Sequence, residues 1–334
     1  MLKVILSWLT ACILALNTAT TALAQSPQVP RFEPTDCPFA IPRDETIRCG
    51  FLIVPEDRSL NSGPTIKIGV AIVASHSPHP APDPIFFLNG GPGGSMTILF
   101  PDLFLTFKPY LTTRDVVLFD QRGAGWSQPA LNCPETASLE MDKVLGKRPG
   151  PEEALKPYLA CRDRLIDAGV NLPAYNTIEN AADVKDLRDA LGYDRINLLG
   201  VSYGTLLGQV LARDYPHMIR SAILDSAYPL WETVMADSGA SMMHYFDIVF
   251  ANCAADTICR TLYPDLPKVF AELYDRFARV PLTVSDQNPL TGQTYTFTLD
   301  NMLLIQLLVH ASPDEVPALL SDLRDGDFET ARLA

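Results

Sequence analysis

Four short and almost wholly apolar runs constrain this chain most: residues 85–88 (Ile-Phe-Phe-Leu), 116–119 (Val-Val-Leu-Phe), 196–199 (Ile-Asn-Leu-Leu) and 222–224 (Ala-Ile-Leu). Each is too brief for a helix. Such continuity suits strands buried on both faces, the habit of parallel sheets covered by helices. Residues 51–54 ahead of Pro55, and residues 66–73, read as earlier strands, with a Pro-rich loop at 77–84. Between the runs, Val184, Leu187 and Leu191 recur at helical spacing and stop at Gly192, a C-cap residue. Strand, helix and strand in this rhythm predict an α/β fold with a mostly parallel sheet and helices on both faces.

Beyond Ser226 the texture changes. Val269, Leu273 and Phe277 mark one amphipathic helix, and Leu303, Leu304, Leu307 and Leu308 another. Ser312-Pro313-Asp314-Glu315 carries the cap, the proline and the acid of a helix start. The chain therefore divides into a leader (1–24), an α/β core (25–225) and a helical lid (226–334). The 26 basic and 39 acidic residues leave a formal charge of −13, so phosphate backbones are poor partners and nucleic-acid binding is not expected.

The leader has the layout of a secretory signal. Lys3 precedes a mostly apolar stretch at 4–16, and Ala22-Leu23-Ala24 places cleavage after Ala24. That stretch falls short of the ~20 residues of a spanning helix, so no stable membrane anchor is expected. A lipid anchor on Cys12, in Leu9-Thr10-Ala11-Cys12, ranks lower because it leaves too short a leader. The mature protein would be secreted or periplasmic. Six cysteines remain after cleavage, and in an oxidising compartment they suggest disulfides. Of the 15 pairings six cysteines allow, the preferred set is the local one: Cys37–Cys49, Cys133–Cys161 and Cys253–Cys259. Zinc is the competing use, and it lacks the C-x-x-C pairs or clustered histidines that a site needs. No metal or cofactor site is expected.

The chemistry gathers where strands end. Gly200-Val201-Ser202-Tyr203-Gly204 follows one apolar run directly and opens a helix that stops before Pro216. In that setting G-x-S-x-G forms a turn so sharp that its flanks must be small, and the serine projects above the sheet edge. Ser202 is the candidate nucleophile. Asn89-Gly90-Gly91-Pro92-Gly93-Gly94-Ser95 follows another run, and so many glycines let backbone N–H groups approach a reacting atom. Acyl transfer needs two donors for its oxyanion, here the N–H groups of Tyr203 and Gly91. A phosphate-binding loop fits less well, since no lysine follows and Pro92 removes a donor.

With Asp120-Gln121-Arg122-Gly123-Ala124-Gly125-Trp126-Ser127 added, these segments resemble the α/β-hydrolase peptidases, within them the proline iminopeptidase and tripeptidyl aminopeptidase group. Cys49-Gly50-Phe51-Leu52-Ile53-Val54-Pro55 and the local cysteine pairs look more like the secreted tripeptidyl aminopeptidase branch. The resemblance runs from Cys37 to the end and implies a serine exopeptidase acting on peptide N-termini under a helical lid. Asn89 departs from the histidine usual in iminopeptidases, which matters little to a loop working through its backbone.

The resemblance also implies a triad in chain order Ser, Asp/Glu, His. After Ser202 the chain offers His217, beside Pro216, and His244 and His310 on apolar helical patterns. None suits the role. The chain therefore reads as a piece of a longer protein, with the triad acid and histidine expected beyond Ala334 in two further βα units of ~30 residues each. Three functions stay open: an aminopeptidase-type serine hydrolase, an esterase on the same machinery, or a non-catalytic binding module. The substrate would be a peptide or a small acyl compound, with Glu232 or Asp237 as candidate anchors for its α-ammonium. Oligomeric state is left open.

Overall fold

Alternation along the central strands explains how the sheet is covered. In β4 (Ile85–Leu88), Phe86 and Leu88 enter one core cluster and Phe87 another. In β5 (Val116–Phe119), Val117 and Phe119 join the first cluster, and Val116 and Leu118 the second. Side chains with a period of two thus fill a core on each face, as expected of fully buried strands. The computed structural model describes residues 29–144, 149–231, 234–287 and 294–327; the leader and its cleavage site lie outside them.

The sheet has seven strands in the order β1-β2-β3-β5-β4-β6-β7, with β1 at Arg31–Thr35, β2 at Ile47–Pro55, β3 at Thr65–Val73, β6 at Ile196–Val201 and β7 at Ile219–Asp225. Strands β5, β4, β6 and β7 run parallel, while β1, β2 and β3 add antiparallel pairings. Helix α1 (Met96–Phe107) packs on β3 and β5 on one face. After α2 (Ala137–Val144) and α3 (Pro151–Asp167), the helices α4 (Thr177–Ala190) and α5 (Tyr203–Asp214) cover the other face, α4 against β1 and β2 and α5 against β4, β6 and β7. Helix α4 ends at Ala190 with Leu191 as its C-cap, and the next residue, Gly192, has φ 77°.

One expectation is corrected at the sheet edge. The apolar run at 222–224 predicts burial on both faces, yet Ala222 and Ile223 of β7 are exposed, Ile223 by 58%. The physical reason is position: β7 is the outermost of the described strands, with α5 on one side only.

Residues 234–325 build a separate core. Phe246 and Phe250 of α6 (Val234–Ala255), Phe270 and Phe277 of α8 (Leu266–Arg279), Leu304 of α9 (Asn301–His310) and Leu320 of α10 (Val316–Asp325) share one cluster. Between them α7 spans Thr257–Leu262. An antiparallel hairpin, β8 (Leu282–Gln287) with β9 (Thr294–Leu299), adds two strands to this largely helical region and contributes Val284 and Leu299 to its core. The Ser312 N–H donates to Glu315 Oε2 at 3.1 Å, but α10 begins only at Val316 with Glu315 as its N-cap, three residues later than a start at Pro313. No helix among the described residues is long and apolar enough to cross a membrane.

All three local disulfides are present: Cys37–Cys49, Cys133–Cys161 and Cys253–Cys259, with Cα–Cα distances of 5.1, 5.3 and 5.1 Å. The Cys133–Cys161 bridge closes the longest loop, 28 residues. Replacing both of its cysteines with alanine is expected to cost about 3 kcal/mol in a urea unfolding measurement.

Candidate active site

The turn after β6 is built by close approach. Ser202 sits at φ 54° and ψ −123°, and its N–H donates to the Asp225 carbonyl at 3.1 Å, pinning the turn to the end of β7. On the far side its carbonyl accepts the Thr205 N–H at 2.9 Å and the Thr205 hydroxyl at 2.7 Å, which starts α5. A Cβ on Gly204 would lie 1.8 Å from the Leu88 carbonyl oxygen, and one on Gly200 2.7 Å from the Gly204 oxygen. The sharp bend therefore exists because both flanks lack side chains. Ser202 itself is exposed.

A positive φ on a residue with a Cβ costs ~1–3 kcal/mol, and such strain concentrates at functional positions. Replacing Ser202 with glycine is expected to remove all activity while raising stability by about 1 kcal/mol, the released strain less glycine's extra chain entropy. A thermal or urea midpoint reads this, and a destabilised Ser202→Gly variant would contradict the strained geometry.

The glycine loop lies against this serine. A Cβ on Gly90 would sit 3.0 Å from the Ser202 Cβ and 3.5 Å from its Oγ. Gly91 has φ 116°, and a Cβ there would meet the Gly93 and Gly94 nitrogens at 2.8 and 2.9 Å. Among the described residues, the backbone N–H groups of Gly91 and Tyr203 have no protein acceptor.

The Asp120–Ser127 segment fixes that loop, although the sequence offered no chemical reason for its spelling. The buried Asp120 carboxylate accepts N–H groups from Met96 at 2.7 Å, Thr97 at 3.2 Å and Trp126 at 2.7 Å, and hydroxyls from Ser95 at 3.0 Å and from Thr97. A negative charge at the α1 N-terminus is favoured by the helix dipole and its free N–H groups. Gln121 Nε2 donates to the Asn89 carbonyl at 3.0 Å. The Ser127 hydroxyl donates to the Asp120 carbonyl at 2.6 Å and accepts the Gly69 N–H at 3.0 Å. Exchanging Asp120 for asparagine turns one acceptor into a donor facing donors. We expect about 2 kcal/mol of lost stability and a fall in turnover of about 10²-fold as the loop shifts, read by denaturation and kinetics on the same preparation.

Arg122 ties this segment to α4. Its guanidinium pairs with Asp183 at 2.8 Å through both Nε and Nη2, and donates to the carbonyls of Glu56 at 2.7 Å and Ala174 at 2.6 Å. Arg58 reaches Asp183 at 2.6 Å, Asp186 at 2.7 Å and Glu179 at 2.5 Å. Burial alone would lower the Arg58 pKa, but the charges of Asp183 and Asp186 and their hydrogen bonds to the guanidinium together outweigh it, and the pKa is raised. Burial, then the hydrogen bond to Glu56, pushes the Tyr175 phenol well above its usual range, so it stays a neutral donor. Sequence reading missed this network; its one signal was acids at 179, 183 and 186 on the covered side of a helix.

The histidines lie elsewhere. His217 lies two residues before β7 begins, so it sits at the end of the sheet opposite Ser202. His76 and His79 follow β3, whose end pairs with the start of β5, and share that opposite end. His244 and His310 are exposed on α6 and α9, with His310 Nδ1 2.9 Å from the Gln306 carbonyl. Glu232 lies outside the described residues, and Asp237 falls on α6.

Comparison with known proteins identifies the fold family. Residues 83–295 match the alpha/beta hydrolase fold family, and the chain belongs to it. It is 32% identical over 208 residues to a tripeptidyl aminopeptidase of Streptomyces lividans, covering 57% of this chain and 37% of that protein. Against the serine protease Hip1 of Mycobacterium tuberculosis it is 30% identical over 224 residues, covering 63% of this chain and 42% of the relative. Among solved structures it resembles a proline iminopeptidase-related protein from Thermus thermophilus at 25% identity, with a TM-score of 0.31 and coverage of 53% and 44%. The chain thus spans about two fifths of the length of these two curated relatives.

Proposed function

We propose that this chain carries the nucleophile and oxyanion donors of a secreted serine aminopeptidase. Ser202 Oγ attacks the scissile carbonyl, and its proton passes to a base. The C–N bond breaks, the amine departs, and water then hydrolyses the acyl-enzyme. The Gly91 and Tyr203 N–H groups receive the developing oxyanion. The observation that carries the reading is the strained Ser202 beside Gly90, with N–H groups lacking a protein acceptor at Tyr203 in the bend and at Gly91 on the adjoining loop. Among the described residues no histidine hydrogen-bonds Ser202, and the triad order of this fold places the base after an acid further along the chain.

Peptidase-named relatives support the peptide substrate class, and the three disulfides support an oxidising compartment reached through the leader. The core at 234–325 is proposed as the lid that limits access, with Glu232 or Asp237 as the α-ammonium anchor. The natural protein should therefore cleave a tripeptidyl p-nitroanilide with a free N-terminus at least ~10²-fold faster, in kcat/KM, than its acetylated form. Cleavage of simple acyl esters alone would replace the peptidase reading with an esterase.

A further inference from the structure

A cavity of about 380 Å³ opens beside the serine turn, lined by Pro92 and Gly93 of the glycine loop, by Tyr203, and by Gln121, Asn180 and Thr177. Its one charged lining residue, Arg122, is saturated, with a side chain that is 0% exposed. No net charge is available to a ligand there, which disfavours an ionic group and suits a neutral polar one.

Two amide side chains in this lining are half used. Asn180 is 6% exposed, and its Oδ1 accepts the Arg122 N–H at 3.2 Å, which fixes the amide's orientation and leaves Nδ2 without a protein partner. Gln121 is 3% exposed, and its Nε2 is held by the Asn89 carbonyl, which leaves Oε1 without one. Neither free atom is sealed from solvent, and this cavity is where both residues line open space. A buried side chain thus offers a fixed N–H donor and another a fixed carbonyl acceptor, in a cleft that starts at the oxyanion loop. A secondary amide presents the complementary pair.

We propose that this cavity is a subsite for one backbone peptide group of the substrate, its carbonyl received by Asn180 Nδ2 and its N–H by Gln121 Oε1. The proposal rests on the acyl-transfer reading, since it places the peptide group beside Ser202. It makes the enzyme prefer substrates with a peptide bond next to the reacting one, and it gives Gln121 two tasks at once: its amide nitrogen fixes the glycine loop while its oxygen reads the substrate.

Calorimetric binding of Ala-Ala-Ala-amide to a Ser202→Ala protein tests this without turnover. Asn180→Asp keeps an acceptor for the Arg122 N–H and turns the Nδ2 donor into a carboxylate oxygen that repels the substrate carbonyl, so affinity should fall at least about tenfold, with circular dichroism matching the parent. On the ligand side, analogues with one internal amide changed to an ester lose an N–H, and one of them should bind about tenfold more weakly. Unchanged or raised affinity in Asn180→Asp, equal binding of every ester analogue, or no binding to the parent overturns the subsite. Fluorophosphonate labelling of Ser202 in the native protein reports separately on the hydrolase. The binding pattern without labelling removes the chemistry and keeps the subsite, and labelling without the pattern does the reverse.

Discussion

Gly204→Ala is expected to be the most destabilising single methyl addition in this chain. The new carbon would lie 1.8 Å from the Leu88 carbonyl oxygen and 2.6 Å from its carbon, and both belong to backbone at the end of β4. No rotamer change relieves such an overlap. Helix α5 must lift away from β4, which opens the core that Leu207, Val210 and Leu211 share with Phe86 and Leu88. Inserting a methyl into a well-packed core costs ~1–3 kcal/mol and occasionally more, and backbone contact this close belongs at the upper end. We expect a loss of at least about 3 kcal/mol from urea midpoints, with any residual fold inactive because the serine turn has moved. A change under about 0.5 kcal/mol would mean that α5 does not seat on β4 as described.

Ser202→Ala should leave the fold intact and abolish turnover, by at least ~10⁴-fold. Alanine carries the same positive φ, and the backbone contacts of the turn to Asp225 and Thr205 do not involve the hydroxyl oxygen. Stability should therefore match the parent within about 0.5 kcal/mol. The activity loss is large because nucleophile and base act as a unit. A variant with more than about a tenth of parental turnover would assign the chemistry to another side chain.

Much of the fold was legible because buried parallel strands announce themselves. The runs at 85–88 and 116–119 are strands as read, down to their boundaries, since nothing but a doubly covered strand tolerates four apolar residues in a row so cheaply. The run at 222–224 shows the limit: apolar sequence indicates a strand, while neighbours decide its burial, and β7 has an open flank. Strand β1, with Arg31, Glu33 and Pro34, has no apolar pattern and forms by pairing along β2. The β8–β9 hairpin is equally quiet, because Thr and Ser alternate on its exposed face.

At the site, Ser202 and the glycine loop were legible because tight turns and close backbone approaches restrict residue type. Asp120, Arg122, Asn180 and Asp183 were not, because their roles come from partners distant in sequence: Arg122 meets Asp183 across 61 positions. No local spacing records such a contact. The Asp120–Ser127 segment stood out only as a resemblance, and its carboxylate, amide and hydroxyl now each have a named acceptor or donor.

The central claim is that the exposed Ser202 hydroxyl at this bend is a nucleophile served by the loop at Gly91. Its most direct test is treatment of the natural protein with a fluorophosphonate, followed by trypsin and mass spectrometry. Trypsin should release residues 196–213, between Arg195 and Arg213, as one peptide. The account predicts a phosphonyl adduct on Ser202 in that peptide and its disappearance in Ser202→Ala. An unmodified peptide from the native protein, or an adduct on another residue that survives the substitution, would contradict it.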